Sequence, residues 1–265
     1  MTAEVAEKNR KFFDGFAGNV TPVLLLDYDG TLAPFRVDRF QARPWAGVRE
    51  LLGRIQRQGK TRMVVITGRS AHEIGPLLGV DPPLEVWGLH GAEHLFPDGR
   101  RELQQAPTAA NQKLNLLRAL LKHDSFGGVF EDKANGAVMH WRGASPSKAK
   151  RIEARTRALF DPLAGTNGLK LLEFESGVEL RIGRDKGGAV EVILREADAG
   201  APVAYLGDDC TDESAFRAVN QVESQGLSVL VRHQWHETAA DIWLRPPEEL
   251  RCFLEDWFRA LVHQL

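Results

Sequence analysis

"LLLDYDGTLAP", Leu24 to Pro34, decides how the chain folds. An apolar run ends in Asp27 and Asp29, one residue apart, with Gly30-Thr31 close behind. Asp and Gly favour caps and turns, so the stretch alone reads in two ways. It is an Asp-Gly turn, or it is the end of a buried strand that presents two carboxylates. Similar short apolar runs recur at Met63–Ile66, Leu84–Leu89 and Val203–Leu206. Between the first two runs, Val48, Leu51, Leu52 and Ile55 follow helical spacing. Ser70 and Glu73 predict a capping box for a helix carrying Ile74, Leu77 and Leu78. A further helix after Lys186 places Val190, Ile193, Leu194 and Ala197 on one face.

Strands apolar on both faces and alternating with helices predict an α/β fold, a doubly wound parallel sheet with a Rossmann-like core. The middle of the chain differs. From about Pro107 the order reads helix, two strands, helix, two strands, and the strands "GGVFEDK", "GAVMHWR", "KLLEFE" and "GVELRI" all alternate. Hairpin turns are expected at Ala134–Gly136 and Glu175–Gly177. The economical architecture is an inserted α+β cap domain at 107–183 in a core formed by 1–106 and 184–265.

Composition narrows the function. The 265 residues are 43% hydrophobic and 26% charged with a formal net charge of −2. That balance gives no electrostatic footprint for nucleic acid or an anionic membrane surface. Cys210 and Cys252 make neither a disulfide framework nor a zinc site, and Cys210 reads as a small buried filler. The N-terminal stretch lacks the apolar segment of a secretory signal, and no run approaches the roughly 18 apolar residues of a membrane span. A cytoplasmic protein is expected.

In an open parallel sheet, ligands bind at the carboxyl ends of the strands. Asp27 and Asp29 follow the first run, Thr67-Gly68-Arg69 the second, and Gly207-Asp208-Asp209 the last, while Lys186 opens a helix just past the insertion. Carboxylates meeting on one rim call for a hard cation such as Mg²⁺ to relieve their repulsion. The chemistry suggested is phosphoryl transfer with Asp27 as nucleophile. Thr67 and Lys186 would hold the phosphoryl oxygens. Asp29 would protonate the leaving oxygen and then deprotonate the attacking water.

"DYDGT", Thr67, Lys186 and "GDDCTD" occur in the order of the four motifs of the haloacid dehalogenase-like phosphatases, which the chain resembles. "DYDGTLAP", "ITGRS", "GLHGAE" and "GDDCTDESAF" are more narrowly similar to the trehalose-6-phosphate phosphatase family, although Ile182-Gly183 stand where that family carries a proline after its arginine. The resemblance implies a Mg²⁺-dependent phosphatase for a small sugar phosphate, trehalose 6-phosphate first. A glycosyl phosphoglycerate or sucrose phosphate is the alternative within the class. Outside it stands a phosphoacceptor signalling domain, against which Asp29 argues, since a neighbouring acid/base shortens the life of a phosphoaspartate. The metal set expected is Asp27, Asp29, Asp208 and Asp209, with Asp212 behind it. Asp209 and Asp212 serve either there or as caps of the helix near Thr211.

Gly68 and Arg69, at a helix N-terminus, suit a phosphate-bearing substrate. His90 joins them if its loop reaches the rim and is otherwise a core histidine. In the insertion, period-two alternation puts Glu131, Lys133, His140, Arg142, Glu179 and Arg181 on one face. It assigns Phe130, Met139, Trp141, Leu172, Phe174, Leu180 and Ile182 to the other, helix-packed face. The polar face either binds sugar hydroxyls, through Glu131, Lys133, His140, Arg142 and Glu179, or is simply the wet side of the sheet.

Overall fold

The apolar runs become neighbouring parallel strands. The computed structural model describes residues 3–16, 20–105, 107–123, 127–133, 135–174, 176–222 and 225–262. In chain order the elements are α1 (Ala3–Asp14), β1 (Val23–Leu26), α2 (Val48–Gln58), β2 (Arg62–Ile66), α3 (Ala71–Leu78), β3 (Glu85–Gly88), β4 (Glu93–Leu95) and β5 (Arg101–Leu103). Then come α4 (Thr108–His123), β6 (Val129–Lys133), β7 (Gly136–His140), α5 (Pro146–Phe160), β8 (Leu169–Phe174) and β9 (Gly177–Ile182). The chain closes with α6 (Lys186–Glu196), β10 (Val203–Gly207), α7 (Glu213–Asn220), β11 (Gly226–Val231), β12 (Ile242–Leu244) and α8 (Glu248–Val262). Two compact units result, one from Met1–Glu102 with Arg184–Leu265, the other from Leu103–Gly183.

The first unit holds a sheet in the order β12-β11-β10-β1-β2-β3-β4-β5. β12 through β3 are parallel, and β4 turns back antiparallel on β3. Alternation along each strand feeds two cores. Leu24, Leu26, Met63 and Val65 pack with Val48, Leu52, Ile74, Leu250 and Trp257 on one face. Val23, Leu25, Val64 and Ile66 pack with Val190, Ile193, Phe216 and Val219 on the other. Each such side chain contributes about 1.5–3 kcal/mol by leaving water. No helix among the described residues is long and apolar enough to cross a membrane.

α3 begins at Ser70, but not through the expected capping box. The Ser70 hydroxyl donates to Glu93 Oε2 at 2.9 Å, and the same oxygen accepts the Ala71 N–H at 2.7 Å. Glu73 instead receives Arg39 at 2.9 and 3.1 Å. A buried carboxylate brought in by β4 takes over the first-turn donor, which no local spacing encodes.

The second unit is an antiparallel sheet, β6-β7-β9-β8, packed through Ala137, Met139, Leu169, Val178, Leu180 and Ile182 on Leu114, Leu117 and Ile152 of α4 and α5. Ala134 and Glu175, the first residues of the two expected turns, lie outside the described residues. Leu172 pairs with Glu179 and Phe174 with Gly177, which corrects their placement. Both lie on the polar face, and Leu169 and Leu171 take the helix side instead. Phe174 sits 5.4 Å from the His140 ring on that face. The alternation within "KLLEFE" was ambiguous because Leu171 and Leu172 adjoin, and pairing across the β8–β9 hairpin decides the parity. Arg142 also falls off the face, in an exposed turn beyond the end of β7.

This parity has a measurable consequence. Leu169→Ala, in the packed layer, should cost about 2–5 kcal/mol, and Leu172→Ala less than about half of that. Urea unfolding of the two variants checks the order, and a larger loss at Leu172 would overturn the register.

Candidate active site

β1 and β10 end side by side. The Asp27 N–H donates to Leu206 O at 2.8 Å, so the ladder continues just far enough to bring Asp27 out at the strand end. α6 starts there too, with Asp185 as its cap, accepting the Gly188 N–H at 2.8 Å. Its first residue, Lys186, reaches Asp27 Oδ1 and Asp212 Oδ1, both at 2.7 Å. Thr31 Oγ1 donates to the other Asp27 oxygen at 3.0 Å. Asp27, Asp208 and Asp212 each offer an oxygen within 4.8 Å of the other two, and all three residues are buried.

Asp212 is fully engaged. Oδ1 accepts from Lys186 and from the Tyr205 hydroxyl at 2.5 Å, and Oδ2 from the N–H groups of Asp208 and Asp209 at 3.0 and 3.2 Å. Among the described residues no donor reaches the Asp208 carboxylate, which lies against Gly30. A Cβ on Gly30 would stand 2.0 Å from Asp208 Oδ2, and its φ of +88° favours glycine besides. The backbone carbonyl of Asp208 is approached by Arg232 at 3.3 Å and His236 at 3.4 Å.

One lysine among three buried carboxylates leaves excess negative charge. Burial pushes Asp27 up to about 8, with Lys186 pulling down and Asp212 pushing up. Asp208 rises well above the carboxylate range, through burial first and then Asp27 and Asp209. Burial alone would discharge Lys186, but Asp212, Asp27 and Asp209 outweigh it and hold its ammonium well above the ordinary value. Such a set of oxygen ligands suits a hard divalent cation.

Other expected site residues are placed differently. Asp29 turns its whole carboxylate to Arg69, whose Nε and Nη2 donate to Oδ2 and Oδ1 at 2.6 Å each. Asp209 Oδ1 accepts the N–H and hydroxyl of Thr211 at 2.8 and 2.7 Å, and it shares a capping box with Asp212. The carboxylates gathered with Asp27 are therefore Asp208 and Asp212, rather than Asp29 and Asp209. Asp29 is claimed by a bidentate arginine and Asp209 by its own turn. Arg69 is buried, with Nε and Nη2 on Asp29 and Nη1 left without a hydrogen-bond partner among the described residues, 3.7 Å from Glu73.

Thr67 stands at the end of β2, its hydroxyl accepting the Arg69 N–H at 3.1 Å. The loop of His90 does reach this motif: its N–H donates to Thr67 O at 2.8 Å. Its ring covers Gly68, where a Cβ would lie 2.6 Å from Nε2. In the second unit, Lys133 pairs with Glu179 at 3.0 Å and Glu131 with His140 at 2.9 Å. Cys210 is exposed, not a buried filler, because it sits on the outer side of the turn that Asp209 and Asp212 close. Sequence reasoning missed Thr31, Tyr205 and Glu93. Thr31 lay in view four residues after Asp27, whereas Tyr205 was hidden in an apolar run.

A family model described as trehalose-phosphatase matches residues 25–245. The chain belongs to the trehalose-phosphatase family. Trehalose-phosphate phosphatase of Mycolicibacterium paratuberculosis is 32% identical over 228 residues, which cover 83% of this chain and 56% of that protein. Its Mycobacterium avium counterpart is 32% identical over 225 residues, again 83% and 56%. The chain thus spans a little over half the length of these curated relatives. In fold it is similar to the C-terminal domain of Candida albicans trehalose-6-phosphate phosphatase, with a TM-score of 0.76, 19% identity and 96% of each chain covered.

The cradle for Asp208 can be tested directly in this trehalose-phosphatase family chain. Gly30→Ala should lower stability by about 1–3 kcal/mol, from the left-handed backbone and the displaced carboxylate. Chemical denaturation measures it, and an unchanged midpoint would contradict the close approach.

Proposed function

We propose that this trehalose-phosphatase family chain hydrolyses a sugar phosphate, trehalose 6-phosphate, to trehalose and phosphate through an aspartyl-phosphate on Asp27. The observation that carries this reading is the grip on Asp27. Lys186 takes one lone pair of Oδ1 and Thr31 one of Oδ2, which fixes the carboxylate and leaves one lone pair on each oxygen. These two lone pairs are what Asp27 has to offer to a cation and to phosphorus.

Asp27 attacks phosphorus, and the bond to the sugar oxygen breaks. Lys186 and the Thr67 hydroxyl hold phosphoryl oxygens as charge moves onto them. Asp29 supplies the proton for the leaving oxygen and takes one from the water that then frees phosphate from Asp27. The donor set fits Mg²⁺, held by Asp27 and Asp208, because Asp212 already accepts four hydrogen bonds. When bound, Mg²⁺ neutralises charge on the phosphate and polarises it toward attack. In the second unit, Glu131, Lys133, His140 and Glu179 supply paired donors and acceptors suited to sugar hydroxyls.

Asp27→Asn should keep its fold and lose several orders of magnitude in phosphate release. A circular dichroism spectrum together with a phosphate assay across sugar phosphates checks this, and more than about a tenth of the activity remaining would refute the covalent mechanism.

Metal dependence carries a pH sign. The buried carboxylates hold protons in the folded, metal-free state that the unfolded chain has already shed above about pH 4. Their contribution to stability is complete below that pH and is lost as pH rises toward the value of about 8 for Asp27. Mg²⁺ displaces those protons, so the rise in Tm from chelator to Mg²⁺ should be larger at about pH 8 than at about pH 6. A gain equal at both, or larger in acid, contradicts the site.

A further inference from the structure

Asp29 is the residue to which the proposed reaction assigns both proton transfers, yet both of its oxygens are occupied. Arg69 Nε and Nη2 each donate at 2.6 Å in a two-toothed clamp. The arginine is itself built in. Its side chain is only 6% exposed, against 27% for Asp29, and the Tyr28 ring lies 5.6 Å from its guanidinium carbon. Glu73 Oε2 stands 3.7 Å from its third nitrogen, Nη1. Glu73 is in turn held by Arg39 at 2.9 Å. The backbone N–H of Arg69 is fixed by Thr67 Oγ1 at 3.1 Å.

The order Arg39, Glu73, Arg69, Asp29 is a chain of alternating charge that ends on the proton-transfer group. We propose that Arg69 is a positioning residue that holds Asp29 as an oriented carboxylate for the second half of the reaction, the attack of water on the phosphorylated Asp27. This rests on the reading of Asp29 as acid and base.

A bidentate guanidinium fixes the plane of the carboxylate and the direction of its free lone pairs. After Asp29 has given its proton to the sugar oxygen, that oriented carboxylate must accept the proton of water. In this second step the water oxygen bonds to phosphorus, its proton passes to Asp29, and the bond from phosphorus to Asp27 breaks with its electron pair returning to Asp27. Each Asp29 oxygen accepts one N–H and keeps a second lone pair, where the proton of water can arrive while both teeth of the clamp stay closed. Two of the three guanidinium nitrogens are spent on Asp29, and the third, Nη1, is buried 3.7 Å from Glu73 without a hydrogen-bond partner among the described residues.

The two halves separate when the leaving group needs no proton. p-Nitrophenyl phosphate releases nitrophenolate as Asp27 is phosphorylated, without help from an acid. In Arg69→Met, that first release should keep its rate to within about threefold, while the following steady state falls about thirtyfold or more. Rapid mixing with the Mg²⁺-loaded enzyme should therefore show a burst of nitrophenolate approaching one per active site, where the unaltered chain shows a smaller burst or none. If Arg69→Met does not fold, Arg69→Lys serves, since it keeps the charge and loses the fork. A burst and steady state that fall together, or no change in either, overturns the proposal. Asp29→Asn is the control. If it too gives no burst, the assignment of Asp29 as base is wrong. If it bursts and the Arg69 variant does not, the positioning role alone fails.

Discussion

A single buried ammonium holds the site together. Lys186 sits between Asp27 and Asp212, 2.7 Å from each, with all three side chains shut off from solvent. Burying a charge is expensive unless it is paired, and removing one partner of such a set costs about 3–5 kcal/mol. The partners come from distant parts of the chain, the end of β1, the first residue of α6 and the turn after β10. Lys186 therefore ties the end of β1 to the turn after β10, and with them Asp27 and Asp212. The surplus negative charge that remains is what makes the place suited to a cation.

Around that lysine, the neighbouring acids are separated in role by what hydrogen-bonds to them. Asp212 is saturated by Lys186, Tyr205 and two backbone N–H groups, so it acts as an anchor for the turn. Asp208 meets no donor among the described residues and is pressed against the bare α-carbon of Gly30. Asp29, only two residues from Asp27, is drawn to the other side by Arg69. Glu93 steadies the same region from β4, tying the start of α3 and hence the loop that carries Thr67 and Arg69.

The second unit shows the same logic on a sheet. One face packs on its helices through Leu169, Val178, Leu180 and Ile182. The other carries Lys133 and Glu179 in an ion pair and Glu131 hydrogen-bonded to His140, with Leu172 and Phe174 interspersed on the same side. Glu179 and Arg181 are each 1% exposed. Buried charges there demand specific partners.

The sequence alone determined the sheet, the insertion and the chemistry of the rim, because each is written in local signals. Runs apolar on both faces make buried parallel strands, alternation makes an antiparallel sheet, and polar residues directly after a strand must emerge at its end. Asp27, Thr67 and Asp208 stand just past strands for that reason, while Lys186 opens the helix after the insertion. What only the tertiary structure decided was pairing. The spacing of Ser70 and Glu73 could not reveal that Glu93 would cap α3, nor could "KLLEFE" reveal which of its adjacent leucines faces the helices. The acidity of Asp27, Asp29, Asp209 and Asp212 was plain, but which of them would be neutralised by Lys186, claimed by Arg69, or spent on a turn depends on distances across the chain. Charge and hydrogen-bond interactions act through space at a few ångströms, and residues as far apart as Asp27 and Lys186 acquire that proximity only when the sheet is assembled.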